Sequence, residues 1–165
     1  MNNKYNIIAL IGKAGAGKDY MLYHHPFSFN KIISCTTRPP REGEQNGKNY
    51  YFLSEEEFKQ RVDNGEMLEY MEFRGWYYGT SIKELSEDNI NIGVFNPTGI
   101  RNMLKDPRIN LYTYYVDADD KTRLERQLKR ENNPDVKEIV RRFQADEEDF
   151  KDLEFPYYVI DNGQK

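Results

Sequence analysis

Residues 12–18 form a candidate phosphate-binding loop. Their sequence, Gly-Lys-Ala-Gly-Ala-Gly-Lys, fits the pattern G-x-x-x-x-G-K and follows an apolar run, Tyr5–Ile11, that is typical of a buried strand. Glycines let backbone N–H groups curl around phosphate oxygens, and the N-terminus of a following helix adds partial positive charge. The alternative is a glycine-rich turn with a surface lysine, but the strand-loop-helix context favours phosphate binding. The predicted ATP-binding residues here are Gly12, Lys13, Ala14, Gly15, Ala16, Gly17, Lys18 and Asp19.

Lys18 is also a predicted catalytic residue, because a lysine at this position can follow the charge of a phosphate as it is transferred. Asp19 departs from the usual loop, in which Ser or Thr follows the lysine and binds Mg²⁺. A carboxylate is a hard oxygen ligand, so Asp19 can bind the metal directly. It can equally cap the helix and leave the metal to water and phosphate, and both roles stay open. Mg²⁺, bound together with ATP, is the predicted cofactor.

Two arginines, Arg38 and Arg41, lie three residues apart and are separated by Pro39 and Pro40. The planar guanidinium group gives two parallel charge-assisted hydrogen bonds to a phosphate. The prolines restrict the backbone, which aims the arginines before a ligand arrives. This pattern predicts a second phosphate site, whereas the alternative for the stretch on its own is a solvated basic turn.

Residues 34–44, Ser-Cys-Thr-Thr-Arg-Pro-Pro-Arg-Glu-Gly-Glu, resemble the monophosphate-binding signature of guanylate kinases. The similarity continues at Gly47, at 50–52 (Tyr-Tyr-Phe), at 68–73 (Leu-Glu-Tyr-Met-Glu-Phe) and at 75–80 (Gly-Trp-Tyr-Tyr-Gly-Thr). With the phosphate loop it covers the first half of the chain well and the remainder more loosely.

The resemblance implies an α/β fold, a P-loop NTPase-like parallel sheet flanked by helices, with a small inserted monophosphate-binding subdomain and a short lid. It implies one domain over 1–165, with a core at 1–35 and 90–165, a subdomain at about 36–89 and a lid at about 126–138. The implied activity is transfer of the γ-phosphate of ATP to GMP or dGMP. The implied GMP-binding residues are Arg38, Arg41, Tyr50 and Tyr78 for the phosphate and Ser34, Glu69 and Thr80 for the guanine. Asn96 is a further implied GMP-binding residue, at a position where the family's aspartate contacts guanine or helps to organise the metal.

The chemistry of guanine fits these residue types. Guanine has N–H donors at N1 and N2, which a carboxylate such as Glu69 accepts, and an acceptor at O6 for the hydroxyls of Ser34 and Thr80. Adenine places an acceptor against the carboxylate, a mismatch that costs a factor of about 10⁴ or more in well-built sites. Taken alone, Glu69 would be an ordinary strand glutamate in an ion pair. The alternative for Tyr77 and Tyr78 is a place in the core as packed aromatics, and this alternative is the one predicted for Tyr77.

The lid resembles the family less closely. Arg126 and Arg130 lie one helical turn apart and share a helix face. Family lids carry arginines that clamp the transferring phosphate, so Arg126 is a predicted ATP-binding residue and Arg130 a predicted catalytic residue. Arg142 on the next helix, together with Arg38, completes the predicted catalytic set. The alternative is an ordinary basic helix surface in which these arginines pair with neighbouring glutamates, Glu125 and Glu131.

Two positions depart from the family pattern. The lid glycine is replaced by residues 131–134, Glu-Asn-Asn-Pro, and Asn96 stands where the family usually has aspartate. These departures leave room for another acceptor, such as a different nucleoside monophosphate or a phosphorylated sugar. A second rival is a catalytically inactive guanylate-kinase-like binding module, although Gly12, Gly17 and Lys18 of the phosphate loop are intact.

The net charge of −4 argues against a polynucleotide partner, since nucleic-acid binders are usually basic. A single cysteine, Cys35, excludes an internal disulfide and fits a reducing compartment. The apolar run Ile7–Ile11 is too short for a signal core or a membrane span. We therefore expect a cytoplasmic monomer or homodimer that binds small-molecule nucleotides and has no membrane partner.

Apolar strand-like runs alternate with helix-like stretches, which predicts a mainly parallel sheet. The predicted strands are Tyr5–Ile11, 31–35, 50–53, 66–74, 90–95, 110–116 and 157–160, with a turn at 75–79, and the predicted helices are 18–23, 54–64, 119–130 and 135–153. Apolar residues of the last helix recur near the 3.6-residue period, so its acidic run 146–149 is predicted to face solvent only.

Overall fold

The structure, a computed structural model, describes residues 3–163 of the chain. In chain order its strands are β1 (Tyr5–Ile11), β2 (Asn30–Lys31), β3 (Cys35–Thr36), β4 (Tyr51–Phe52), β5 (Met67–Phe73), β6 (Trp76–Ser81), β7 (Asn91–Val94), β8 (Ile109–Asp117) and β9 (Tyr158–Asp161). Its α-helices are α1 (Lys18–His24), α2 (Glu55–Asp63), α3 (Pro97–Leu104), α4 (Asp120–Arg130) and α5 (Val136–Asp149). Within the described residues, each helix is too short or too polar to cross a lipid bilayer.

The larger sheet consists of five parallel strands in the spatial order β2-β7-β1-β8-β9. β1 lies at its centre and is buried on both faces, which explains its nearly continuous apolar sequence. On one face Ile7 packs in a cluster with Ile100 and Met103 of α3, and on the other Leu10 packs with Leu22 of α1. The prediction of an α/β fold built on a parallel sheet with helices on its faces is confirmed.

The smaller sheet has four strands in the order β4-β3-β6-β5 and is built from residues 35–81. Strands β5 and β6 form an antiparallel hairpin, and β3 pairs with β6 antiparallel and with β4 parallel. Helix α2 covers this sheet through Phe58, which is fully buried and whose ring lies 5.4 Å from the ring of Tyr77. Tyr77 therefore packs as a core aromatic, as its surroundings in the sequence predicted.

Both connections to the smaller sheet leave the larger sheet from neighbouring strands. β2 pairs with β7 in the register Asn30 with Asn91 and Lys31 with Ile92. The side-chain nitrogen Nδ2 of Asn30 donates to Oδ1 of Asn91 at 2.7 Å, and Asn91 is fully buried. The chain thus enters and leaves the insertion through one hydrogen-bonded strand pair.

Helix starts follow their capping residues. Ser54 Oγ accepts a hydrogen bond from the backbone N–H of Glu57 at 3.1 Å, and the Glu57 carboxylate accepts from the N–H of Ser54 at 2.8 Å. This reciprocal pair is the capping box that the sequence predicted for α2. Asp119 and Asp135 cap α4 and α5 in a similar way, each accepting from a backbone N–H three residues further on.

Three local predictions differ from the structure. The single strand predicted at 31–35 is wrong, because the chain leaves the larger sheet after Lys31 and joins the smaller sheet only at Cys35. The turn predicted at 75–79 is also wrong, since Arg74 and Gly75 make the turn at positive φ and β6 begins at Trp76. Helix α3 was not predicted, although Asn96 at its N-cap and a proline in its first turn are recognisable start signals.

Replacing Phe58 by alanine tests how far the smaller sheet depends on this one ring. We expect Phe58→Ala to lower the free energy of unfolding by about 3 kcal/mol or more, because a large buried ring is lost and a cavity remains. Val140→Ala is the control, since the Val140 side chain on α5 is 49% exposed and its loss should cost less than about 1 kcal/mol. Urea denaturation measures both, and an equal, small loss in the two variants would contradict the prediction.

Candidate functional site

The loop at 12–18 lies at the carboxyl end of β1, where the central strand meets α1. Gly15 and Gly17 adopt φ values of 81° and 97°, in the left-handed region that favours glycine. A Cβ atom at Gly15 would also collide with the carbonyl group of Arg123. Lys18 begins α1 and donates from Nζ to the carbonyl oxygen of Gly12, so its ammonium group lies within the loop. Burial lowers the pKa of Lys18 from its ordinary value, against the opposing effect of Asp19.

Helix α4 supports this loop from behind. Arg123, whose surface is 1% exposed, donates from Nη1 to the carbonyl oxygen of Ala14 at 3.2 Å. Arg126 donates from Nη1 to the carbonyl oxygens of Gly15 and Ala16, both at 3.2 Å, and from Nη2 to that of Asn162 at 2.7 Å. Both arginines therefore fix the backbone of the loop through its carbonyl oxygens.

This position of Arg126 differs from the direct ATP contact that the sequence predicted. Its guanidinium group is bonded to the loop backbone, so any effect on ATP passes through the loop. The alternative, pairing with glutamates next to it in the chain, is wrong for Arg126 as well, since its described contacts are with backbone carbonyl oxygens. Arg130 is exposed and lines a cavity beside the loop, described below.

Helix α5 places a carboxylate on the loop. Oδ2 of Asp146 accepts a hydrogen bond from the backbone N–H of Ala14 at 2.8 Å, and Glu147 pairs with Lys13 at 2.7 Å. The prediction that the run 146–149 faces solvent only is therefore wrong for Asp146, whose side chain is 17% exposed. Burial raises the pKa of Asp146, while the Ala14 N–H and the charge of Lys18 oppose that rise. A carboxylate thus occupies an N–H group that a phosphate oxygen would use.

The second predicted phosphate site is organised by Glu44. Arg38 is almost buried and donates from Nη1 and Nη2 to the two oxygens of Glu44, at 2.8 and 3.1 Å. The backbone N–H of Arg41 donates to the same carboxylate at 2.7 Å. The Arg38 guanidinium carbon also lies 5.4 Å from the centre of the Tyr50 ring. One acidic side chain therefore fixes both the arginine and the loop that carries its partner.

Of the predicted base-binding residues, Glu69, Thr80 and Asn96 lie at the junction of β5, β6 and α3, whereas Ser34 lines a separate cavity described below. Glu69 pairs with Thr80 in the hairpin register, and Thr80 Oγ1 donates to Glu69 Oε1 at 2.8 Å. Burial raises the pKa of Glu69 to about 7, against the lowering effect of the Thr80 hydrogen bond. Gly99, in the first turn of α3, lies so close that a Cβ atom on it would stand 3.3 Å from Glu69 Oε2.

Asn96 lies at the same junction, where its side chain also caps α3. Its Oδ1 accepts from the N–H of Gly99 at 2.7 Å, which caps α3, and its Nδ2 donates to the sulfur of Met71. The amide oxygen of Asn96 is thus already engaged by the helix, which differs from the direct guanine contact predicted for it.

A cleft of about 400 Å³ connects the two phosphate sites. Ala14 and Lys18 line it at the loop end, Arg38 and Arg41 line it at the other end, and Arg142 of α5 stands beside it. The pKa of Arg41 is lowered by burial and by the nearby charges of Arg38 and Arg142. Cations from three separate segments therefore face one space, which suits a ligand with a chain of phosphates.

An adjoining cavity of about 500 Å³ shares both arginines of the second site. Its lining includes four further predicted residues: Asp19, Ser34, Tyr50 and Arg130. The structure therefore brings all but a few of the predicted residues to one continuous region. The exceptions are Arg126, behind the loop, and Glu69, Thr80 and Asn96, which line neither cavity.

Several residues at the site were missed from the sequence. Glu44 lies inside the loop that was singled out, and its distance of three residues from Arg41 was an available signal. Arg123 was also missed, and its position three residues before the predicted Arg126, on the same face of α4, was a weaker signal. Asp146 and Asn162 contact the loop from more than 130 positions away in the chain, and no local pattern marks them.

A glycine loop at the carboxyl end of a central parallel strand, with a second cationic site across a cleft, defines a P-loop nucleotide-binding protein. A family model described as guanylate kinase matches residues 4–164. The guanylate kinase of Campylobacter jejuni (strain RM1221) is 31% identical over 170 residues, which cover 96% of this chain and 82% of that protein. The guanylate kinase of Lactobacillus acidophilus is 43% identical over 91 residues, covering 53% of this chain and 45% of that protein.

The same similarity extends to three dimensions. The crystal structure of guanylate kinase from Anaplasma phagocytophilum matches with a TM-score of 0.69 and 27% identity, over 98% of this chain and 78% of that one. The chain belongs to the guanylate kinase family. The family predicted from the motifs is therefore confirmed, and so are the P-loop fold and an enzyme of the guanylate kinase type.

Glu69 should weaken the fold as the pH rises. A carboxyl group with a pKa near 7 in the fold, against a usual 4.5, keeps its proton in the folded chain while the unfolded chain loses it. Stability is then fully present below about pH 4.5 and declines as the pH rises through 7. We expect Glu69→Gln to raise the free energy of unfolding by about 1 to 3 kcal/mol at pH 8 and to change it little at pH 4.5.

Urea denaturation at the two pH values measures this difference. Glu72→Gln is the matched control, because Glu72 lies on the same strand but is exposed. A gain of equal size at both pH values would contradict an origin in the ionisation of Glu69.

Asp146 should compete with ATP for the loop. Asp146→Asn keeps an acceptor for the Ala14 N–H but removes the negative charge, so we expect the dissociation constant of a non-hydrolysable ATP analogue to fall by about 3- to 10-fold. Isothermal titration calorimetry measures this, with Glu148→Gln, an exposed change on the same helix, as control. Weaker binding by Asp146→Asn than by the parent chain would show that the carboxylate supports the nucleotide instead.

Proposed function

We propose that this chain transfers the γ-phosphate of ATP to GMP or dGMP, giving ADP and GDP or dGDP. The observation that carries the proposal is the cleft between the glycine loop with Lys18 and the loop with Arg38 and Arg41. Direct transfer needs donor and acceptor phosphates in line and in contact, and a single cleft with a phosphate site at each end meets that need. Membership of the guanylate kinase family supports the same donor and acceptor.

At the donor end, we assign ATP to the loop of residues 12–18, with N–H groups around its phosphates and Lys18 beside the transferring group. Lys18 is held by the carbonyl oxygen of Gly12 and is partly desolvated, so a phosphate provides a stronger partner than the one it has. Arg126 and Arg123 contribute by fixing the loop.

At the acceptor end, we assign the phosphate of GMP to Arg38, Arg41, Tyr50 and Tyr78. Glu44 orients Arg38 through both of its terminal nitrogens, which limits the reorganisation required when the nucleotide binds. We assign the guanine to Ser34, Glu69 and Thr80, with Asn96 acting through the start of α3. The ionised Glu69 accepts the two N–H donors of guanine, and adenine offers no such pair.

No catalytic base is required by this assignment. The second pKa of a nucleoside monophosphate is about 6, so the acceptor is mostly dianionic at neutral pH and already nucleophilic. The protein then contributes alignment and charge neutralisation, for which we assign Lys18, Arg38, Arg130 and Arg142. Arg142 stands beside the cleft, and Arg130 lines the adjoining cavity.

Mg²⁺ is the proposed cofactor, bound with ATP. Asp19 offers a hard carboxylate oxygen directly after Lys18, and it lines the cavity beside the loop. Metal ions that accompany nucleotides need only one or two carboxylates, because phosphates and water fill the other positions. Among residues 3–163, no group of three or more His, Cys, Asp or Glu side chains forms an all-protein site, which agrees with that arrangement. The ion, when bound, neutralises part of the charge on the phosphates.

We further propose that the smaller sheet is the monophosphate-binding subdomain, at about 36–89, and that residues of about 126–138 act as the lid. The remaining predictions, a cytoplasmic location and a monomer or homodimer without nucleic-acid or membrane partners, stay part of this proposal.

The test is ADP release from ATP and Mg²⁺ with GMP, dGMP, AMP, CMP, UMP and dTMP as acceptors. We expect activity with the two guanine nucleotides to exceed that with AMP by about 10³-fold or more in kcat/KM. Lys18→Met should lower kcat by about 100-fold or more because it removes a charge next to the transferring phosphate. Lys151→Met, at an exposed position just after the end of α5, should leave kcat within about twofold.

Each contrary outcome has a separate meaning. Equal rates with all acceptors would refute guanine selection and favour a different acceptor. Absence of ADP release with every acceptor would favour a binding module without catalysis. Full activity of Lys18→Met would remove the loop from the reaction.

A further inference from the structure

One ion pair joins the smaller sheet to the helices of the larger one. Nη1 of Arg74 lies 2.6 Å from Oε1 of Glu138, and both side chains are about one-third exposed. Among the described residues it is the sole ion pair between the segment 35–81 and those helices. Arg74 stands at the tip of the β5–β6 hairpin with φ of 55°, and Glu138 lies in the first turn of α5.

Glu138 also holds Arg142. Nε of Arg142 donates to Oε1 of Glu138 at 3.2 Å, and Arg141 binds the same carboxylate through its Nε at 2.9 Å. The described contact of Arg142 uses Nε, which leaves its two terminal nitrogens for a phosphate in the cleft. A single carboxylate thus connects the tip of the acceptor-binding sheet to the arginine that faces the transfer site.

We infer that Arg74 is a positioning residue for phosphoryl transfer, acting through Glu138 to seat the smaller sheet on α5 and to aim Arg142 into the cleft. This inference rests on the proposed function and deepens it. Arg74, Glu138 and Arg142 all line the same cleft, so the contact lies beside the proposed transfer site.

The physical reason is competition for one carboxylate. Without Arg74, Oε1 of Glu138 loses one of its cationic partners and can accept from a terminal nitrogen of Arg142, while Oε2 still accepts from Nε of Arg141. Arg142 would then turn from the cleft toward its own helix. The hairpin tip would also lose its bond to α5, and misplacement by about 1 Å can cost a factor of about 10² in rate.

The effect should appear in turnover and not in ATP binding, because neither residue belongs to the loop at 12–18. We expect Arg74→Met to lower kcat with GMP by about 10- to 100-fold while the KM for ATP changes less than about twofold. Arg74→Lys keeps a cation that can pair with Glu138, so it should recover most of the lost rate.

A double-mutant cycle separates positioning from direct contact with the substrate. If Arg74 acts through Glu138, Arg74→Met combined with Glu138→Gln should be no slower than the slower single variant. If Arg74 touches the phosphate itself, the two losses should multiply, and the inference would be wrong.

The matched control is Arg101→Met. Arg101 forms an ion pair with Glu154 at 2.5 Å, with side chains 38% and 62% exposed, outside both cavities. We expect its kcat to stay within about twofold of the parent chain. All variants are compared by thermal unfolding, and Arg74→Lys and Glu138→Gln keep the test decisive if Arg74→Met unfolds.

Two failures are distinguishable. A parent chain that is inactive with GMP overturns the proposed function and this inference together. A parent chain that is active with GMP, while Arg74→Met behaves like Arg101→Met, overturns the role of Arg74 alone.

Discussion

Repulsion between like charges is the constraint on which this structure depends. A site for two phosphate chains needs several cations within a short distance, and without ligand those cations repel one another. The fold places a carboxylate beside them: Glu44 pairs with Arg38, and Glu138 with Arg142. Asp146 likewise places a negative charge at the loop that contains Lys18, where it accepts a hydrogen bond from the N–H of Ala14. These acids offset the repulsion and hold the cationic groups in place.

Glu69 differs from these acids because its hydrogen-bond partner carries no charge. Its recorded partner is the neutral hydroxyl of Thr80, and burial keeps its carboxyl group partly protonated near neutral pH. In the proposed assignment Glu69 accepts from guanine in its ionised form, and the fold holds it where ionisation is unfavourable. Such a group is costly in the empty protein and is relieved by the N–H donors of the right base, which is how a buried acid distinguishes its ligand from near relatives.

The sequence contained most of the fold and part of the site. Strand β1 and the capping box of Ser54 could be predicted because burial and helix starts leave local patterns. The strand at 31–35 could not be divided correctly, since the same apolar run serves two sheets. Contacts such as Asp146 with Ala14, or Arg74 with Glu138, join residues 132 and 64 positions apart, and only the packing of α5 brings them together.

The strand pair β2–β7 has a consequence for the way such molecules diversify. The insertion departs after Lys31 and returns before Asn91, on adjacent strands joined by the hydrogen bond between Asn30 and the buried Asn91, so its two junctions lie side by side. A segment whose two ends meet at adjacent strands can change in length without altering the order of the five strands. It can also be replaced by a segment that recognises another molecule. The five-stranded sheet and its loop at 12–18 can thus be conserved in evolution while the molecule recognised by the inserted segment changes.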